Sequence, residues 1–274
     1  MLYEKMEQDI LGRGGNSTVY VCKRKDQESS KKYAMKLSER EKNSGENSLK
    51  LEYKIMKYLM GGIGIPKVYY LGKENNSSYL IMQLLGKSVS DEFKSKNNKF
   101  SKDAFKNIAN QMISRIEFLH SKGFIHCDIK PENFVFDKDN NSSTIYLIDY
   151  GLAEPYINFK SREHKKYSDK SGHKGTLYYC SLNSHSGVSL SRRDDLESLA
   201  YCLIYLWCGK LPWIKGISHE TYSEQIMNSK MELCAAENER NIPKNLLEFL
   251  DYSTKLKFEQ LPDYRYLKKL INNL

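Results

Sequence analysis

No stretch of this 274-residue sequence is apolar for longer than the ten residues from Leu199 to Cys208, too few to cross a bilayer, so stable membrane insertion is not expected. The opening Met1-Leu2-Tyr3-Glu4-Lys5 leads into mixed polar sequence without an apolar core or a small-residue cleavage site, and nothing there marks a secretory signal. The six cysteines, Cys22, Cys127, Cys180, Cys202, Cys208 and Cys234, form no C-x-x-C pair and no zinc-like spacing. Free thiols in a cytoplasmic or nuclear protein are the expectation. In that setting the Asn-x-Ser/Thr triplets at Asn16, Asn76 and Asn141 are ordinary loop sequence. Acidic residues are the scarcer charge, 34 against 43 Lys and Arg, for a formal +9. The bases are dispersed among acids rather than clustered, so no specific nucleic acid is expected; the charge suits acidic or phosphorylated protein partners. Repeats, a disordered tail and a separate structural metal site are also missing. A monomer is expected.

What is present divides into two regions. Val19 to Lys23 and Lys32 to Leu37 have strand composition around the turn-rich Lys25 to Ser30, and Lys67 to Leu71 and Tyr79 to Leu84 supply further strands. Between them Leu49, Glu52, Tyr53, Ile55, Met56 and Leu59 recur at helical spacing and stop at Gly61-Gly62. Glu52 is the polar member of that stripe and needs a partner if buried. Beyond Gly86 the pattern turns helical. Phe105, Ile108, Ala109, Met112, Ile116 and Leu119 form one face, with Ser101 as cap and Gly123 as stop. Phe134 to Phe136 and Ile145 to Ile148 read as short strands, Asp194 to Trp207 as a helix ended by Gly209 and Pro212, and Leu246 to Leu250 and Tyr264 to Leu274 as two more helices. The hydrophilic Asn158 to Gly175 reads as one long loop that is costly to order without a reason. The expected fold is α+β and bilobal. An antiparallel-sheet N-lobe with one main helix spans residues 1–85 with the hinge, a mainly helical C-lobe spans 86–274, and a ligand cleft lies between them.

The chemistry begins at Leu11-Gly12-Arg13-Gly14-Gly15-Asn16-Ser17-Thr18-Val19, where glycines let backbone amides approach a triphosphate and Val19 starts the return strand. It is not a P-loop, which would end Gly-Lys-Ser/Thr. Tyr33-Ala34-Met35-Lys36 follows on a strand, where Lys36 could bridge two phosphates while Glu52 holds its ammonium. The strongest pattern is His126-Cys127-Asp128-Ile129-Lys130-Pro131-Glu132-Asn133, followed by the two short strands and Asp149-Tyr150-Gly151. Phosphoryl transfer needs a carboxylate beside the acceptor hydroxyl, oxygen ligands for Mg²⁺ and positive charge at the transferring group. Asp128 suits the base, Asn133 and Asp149 the metal, and Lys130 the γ-phosphoryl. His126 reads as a structural member of the loop. Gly151 is expected to give the metal-binding turn its freedom, and Tyr150 to bury its ring under the Glu52 helix with its hydroxyl partnered.

These residues together resemble a eukaryotic protein kinase. The chain is further similar to the casein kinase 1 family in Gly61-Gly62-Ile63-Gly64-Ile65-Pro66, Met82-Gln83-Leu84-Leu85-Gly86, the run Asp128 to Phe134, Ser181-Leu182-Asn183, Ser191 to Leu199, Leu211-Pro212-Trp213 and Leu261 to Leu267. The resemblance implies ATP and Mg²⁺ as cofactors and Ser/Thr-bearing, acidic protein substrates. It implies Met82 at the rear of the nucleotide pocket, Gln83 to Leu85 as hinge with Leu85 meeting adenine, and Asp195 bracing the catalytic loop. It also implies activity without activation-loop phosphorylation.

Four features depart from the family pattern. Ser17 takes the third glycine place. Cys127 stands immediately before the catalytic aspartate, where many kinases carry an arginine that binds a phosphorylated loop; a thiol cannot do this, so the loop must be held by other contacts. Tyr178 replaces an arginine of the family's anion site, and the basic cluster after Leu-Pro-Trp is reduced to Lys215 and His219. A weakened or relocated preference for phosphorylated substrates follows, with Lys160, Arg162, Lys165, Lys166 or Lys174 as replacement cations. The sequence ends shortly after Leu270, so no long autoinhibitory tail is expected. The alternative reading is a catalytically weak pseudokinase or scaffold, which loss of Lys36, Asp128, Asn133 or Asp149 would favour; all four are present.

Overall fold

The computed structural model describes residues 2–13, 17–26, 31–38, 48–74, 77–139, 142–214, 222–235 and 241–274. In chain order the elements are β1 (Tyr3–Arg13), β2 (Thr18–Arg24), β3 (Lys32–Ser38), α1 (Ser48–Leu59), β4 (Val68–Glu74), β5 (Ser77–Gln83), α2 (Val89–Ser95), α3 (Lys102–Ser121) and β6 (Phe124–Ile125). They continue with β7 (Phe134–Phe136), β8 (Ile145–Leu147), β9 (Glu154–Pro155), α4 (Leu182–His185), α5 (Arg192–Cys208), α6 (Tyr222–Ala235), α7 (Lys244–Lys255) and α8 (Tyr264–Asn272). They form two compact units: Met1–Lys87 with Val135–Gly151, and Ser88–Phe134 with Leu152–Leu274.

The first unit is an antiparallel five-stranded sheet in the order β1-β2-β3-β5-β4, with α1 packed on it. Its register separates two faces, because paired residues share a side and neighbours along a strand alternate. One side carries the core cluster Tyr3, Cys22, Tyr33, Met35, Leu37, Tyr79 and Ile81. The pairs Val19↔Lys36, Val21↔Ala34, Ala34↔Met82 and Lys36↔Leu80 put Val19, Ala34, Lys36 and Met82 together on the other side. β5 leads out of this sheet to Gly86, whose N–H donates to Phe136 O at 2.9 Å. A Cβ at Gly86 would lie 2.7 Å from the Asp137 carbonyl oxygen, so the close approach requires glycine.

The second unit is mainly helical. α5 is buried along nearly its whole length; α3 and α7 pack against it, and α8 packs against α3 and α7. Ser101 caps α3 by accepting from Ala104 N at 3.3 Å, and Gly209 ends α5 at φ +77°. β6 pairs with β9 through Phe124↔Pro155 and Ile125↔Glu154. That short ladder matters because β6 runs directly into His126-Cys127-Asp128. Five helices or strands here have no sequence expectation: α2, β6, β9, α4 and α6. Of these, α2 carries a legible signal, since Ser88 and Asp91 form a capping box.

Candidate active site

In the first unit, Lys36 comes off β3 on the face opposite the core cluster. Its ammonium donates to Glu52 Oε2 of α1 at 2.8 Å and to Asp149 Oδ1 at 2.6 Å. Burial alone would favour neutral lysine, but the two carboxylates outweigh it and hold Lys36 above its ordinary range. Glu52 is almost wholly buried, and that burial raises its carboxyl against the pull of Lys36. The partner that its place in an apolar stripe demanded is therefore Lys36. Tyr150 is fully buried and donates its hydroxyl to Leu147 O at 3.0 Å.

One expectation is corrected here. The residue in the left-handed region is Asp149, at φ +65°, whereas Gly151 is not among the positive-φ glycines. A Cβ at Gly151 would meet its nearest neighbour, Asp149 Oδ1, at 3.4 Å, which is ordinary contact. The turn is bent at the carboxylate itself; aspartate tolerates this conformation better than most residues.

In the second unit, the loop after β6 gathers Asp128, Lys130, Asn133 and Thr176. Asp128 Oδ1 accepts from Thr176 N at 2.9 Å and Thr176 Oγ1 at 2.7 Å, while Oδ2 accepts from Lys130 Nζ at 2.6 Å. Lys130 also reaches Thr176 Oγ1 at 3.1 Å. Asn133 commits its amide nitrogen to Asp128 O at 2.8 Å, which leaves its carbonyl oxygen as the ligand end of the side chain. From α5, Asp195 accepts from His126 N at 2.7 Å, Cys127 N at 2.9 Å and His120 Nε2 at 2.8 Å. Burial pushes the Asp195 carboxyl up, but these donors hold it below its ordinary value. Cys127 sits in this braced loop at φ +65°, its thiol raised by burial.

The segment leading away from Thr176 is anchored at several points. Asp194 accepts from Ser181 Oγ at 2.8 Å and Asn183 Nδ2 at 2.9 Å, and Glu197 accepts from Leu182 N at 2.8 Å. Lys230 of α6 is fully buried and donates to Leu177 O at 2.8 Å and Cys180 O at 2.6 Å. Burial lowers the Lys230 ammonium to about 8. The Tyr178 hydroxyl bonds to that of Tyr222, and Tyr178 O accepts from Trp213 Nε1 at 3.0 Å.

Residues 4–269 match the family described as the protein kinase domain. The chain belongs to the protein kinase family. The kinase thus has the antiparallel-sheet and helical lobes its sequence implied. Protein kinases use ATP with Mg²⁺, and the residues here fit both. Asp149 in the first unit and Asn133 in the second each offer a hard oxygen donor of the kind Mg²⁺ takes. Among the described residues no larger His, Cys, Asp or Glu cluster competes for a metal. The Val19, Ala34 and Met82 face is the right chemistry for a flat base, with Lys36 beside it for phosphate. Leu11 and Gly12 at the end of β1 are exposed and Leu85 is half-buried. Gln83 sits on the opposite face from Met82, its Oε1 accepting from Lys67 N at 3.2 Å, so only its backbone is suited to the hinge role. Gly14, Lys215 and His219 lie outside the described residues, as do Asn16, Asn76 and Asn141.

Thr176, Lys230 and Glu154 were not singled out by residue chemistry. The Gly175-Thr176 step was the available signal for the first; the others depend on partners far along the chain.

Proposed function

We propose that this kinase is a serine/threonine kinase of the casein kinase 1 type, moving the γ-phosphoryl of Mg·ATP to hydroxyls of acidic protein substrates. The observation that carries the reading is the cluster at Asp128: one carboxylate with Lys130 and the Thr176 hydroxyl on its two oxygens. Asp128 orients the acceptor hydroxyl and takes its proton, and Lys130 neutralises charge on the transferring group. Lys36, held by Glu52, positions phosphate oxygens, and Asp149 and Asn133 hold Mg²⁺. The bound ion would neutralise phosphate charge.

The kinase is competent without loop phosphorylation, as a monomer of the cytoplasm or nucleus, and its preference for phosphorylated substrates is weak. Tyr178 offers no cation, and Lys165 and Lys174 are already paired, each on Glu154. Lys160, Arg162 and Lys166, all exposed, are the cations left for a substrate phosphate.

The test is transfer of labelled γ-phosphate to acidic Ser/Thr peptides with and without an upstream phosphoserine. Asp128→Asn should lower kcat by about 10²-fold or more while ATP still binds; unchanged activity would remove Asp128 as base. A phosphorylated peptide favoured by about 100-fold, some 2.7 kcal/mol, would overturn the weak-preference reading. ATP binding without any transfer by the wild type would point to a scaffold.

A further inference from the structure

We propose that Glu154 is a positioning residue for phosphoryl transfer. By clasping Lys165 and Lys174 it holds the segment bearing Thr176 against the catalytic loop, a task other kinases give to a phosphate on the loop. This inference rests on the kinase reading above.

The geometry is specific. Glu154 Oε1 accepts from Lys165 Nζ at 2.5 Å, and Oε2 accepts from Lys174 Nζ. One carboxylate therefore serves two ammonium groups, one on each oxygen. Exposed single ion pairs contribute little. These three side chains, however, keep only 27%, 24% and 30% of their exposure. Burial pushes the Glu154 carboxyl up, yet the two lysines hold it below its ordinary range, so it is charged at any physiological pH.

Its position gives the clasp consequence. Glu154 lies in β9, opposite Ile125 of β6, and β6 leads within three residues to Asp128. Lys174 lies two residues before Thr176, whose N–H and hydroxyl both bond Asp128. Lys165 N donates to Tyr156 O at 2.8 Å, and Ile157 bridges His164. The hydrophilic segment from 158 to 173 is thereby tied off near both ends, which reduces the entropy cost of ordering it. Loops ordered by phosphorylation need arginines to receive the phosphate. Here the residue before Asp128 is the buried Cys127, a poor anion ligand, and the neighbouring charge on β9 is already negative. The polarity is inverted: the anion belongs to the fold and the cations belong to the loop.

The experiment compares wild type, Glu154→Gln, Glu154→Lys and the charge swap Glu154→Lys with Lys174→Glu. It measures peptide kcat, ATP KM and hydrogen exchange over residues 158–176. Glu154→Gln is expected to lower kcat by about tenfold with ATP KM changed less than about twofold, and to speed exchange in that segment. The charge swap should recover most of what Glu154→Lys loses. Should Glu154→Lys fail to fold, Lys174→Met takes its place and should reproduce the Glu154→Gln effects. Wild-type kcat and exchange in Glu154→Gln would overturn the proposal, as would a swap no better than the single reversal. If the wild type itself transfers no phosphate, the kinase reading fails, and exchange alone decides the clasp: faster in Glu154→Gln supports it, unchanged refutes it.

Discussion

Gly175 shows how narrowly single residues are constrained near the catalytic loop. It sits at φ +88°, and a Cβ there would fall 2.5 Å from Cys127 O. Left-handed backbone costs an ordinary residue roughly 1–2 kcal/mol before any clash. The clash would push on the peptide unit joining Cys127 to Asp128. Gly175→Ala should therefore reduce kcat by about tenfold or more and leave ATP affinity near wild type, measured by peptide kinetics and nucleotide titration. Normal kcat would mean that the loop yields there at no cost to Asp128. The Lys36–Glu52 contact was legible because each residue lies in a short pattern whose chemistry limits its partners, whereas the Lys36–Asp149 contact was not. Thr176 and Glu154 were not. The partner of Thr176 is 48 residues away and those of Glu154 are 11 and 20 away, and neither residue carries a periodic mark. The bend at Asp149 was also misassigned, because a glycine two residues on is the habitual place to look for it.

Elements were readable where burial repeats with the period of the backbone. α3 shows a clean stripe and was found that way, while β2 and β3 were found from strand composition on either side of a turn-rich stretch. α6 was not, for a physical reason. Its inward positions are Ile226, Lys230 and Leu233, spaced four and three apart, so the middle of the apolar stripe is a lysine. That lysine is what makes the helix a support for the segment from Leu177 to Cys180. Its Nζ bonds the Leu177 and Cys180 carbonyls and lies 5.0 Å from the Tyr201 ring centroid and 5.5 Å from that of Trp213. Lys230→Met would remove a charged donor from the Leu177 and Cys180 carbonyls, and hydrogen bonds to charged groups are worth about 1.5–3 kcal/mol each. We expect a lower melting temperature and a peptide KM raised about tenfold or more, with ATP KM little changed; an unaltered peptide KM would reduce Lys230 to a packing role. The two-residue strands β6 and β9 escaped notice because nothing so short has a period.

At the scale of the molecule, the ionisable groups buried around α5 couple stability to pH. Glu197 is buried, and burial, then the charge of Asp194, raise its carboxyl to about 7 from an ordinary 4.5. A carboxyl raised on folding binds its proton more tightly in the native state. Its contribution is complete below about 4.5 and is lost as pH rises through about 7. The swing is on the order of 3 kcal/mol. Glu197→Gln keeps an acceptor for Leu182 N and the Tyr201 hydroxyl and cannot ionise. The melting temperature of wild type relative to Glu197→Gln should fall between pH 5 and pH 7; a constant difference would show that Glu197 does not titrate there. The carboxylate of Glu154 has the opposite character, since it keeps its charge across that range. A switch written in phosphate can be erased by a phosphatase, whereas a latch written in the gene has no eraser. The output of an enzyme fastened by such a latch would be governed by how much of it is made, where it is placed and which substrates it meets.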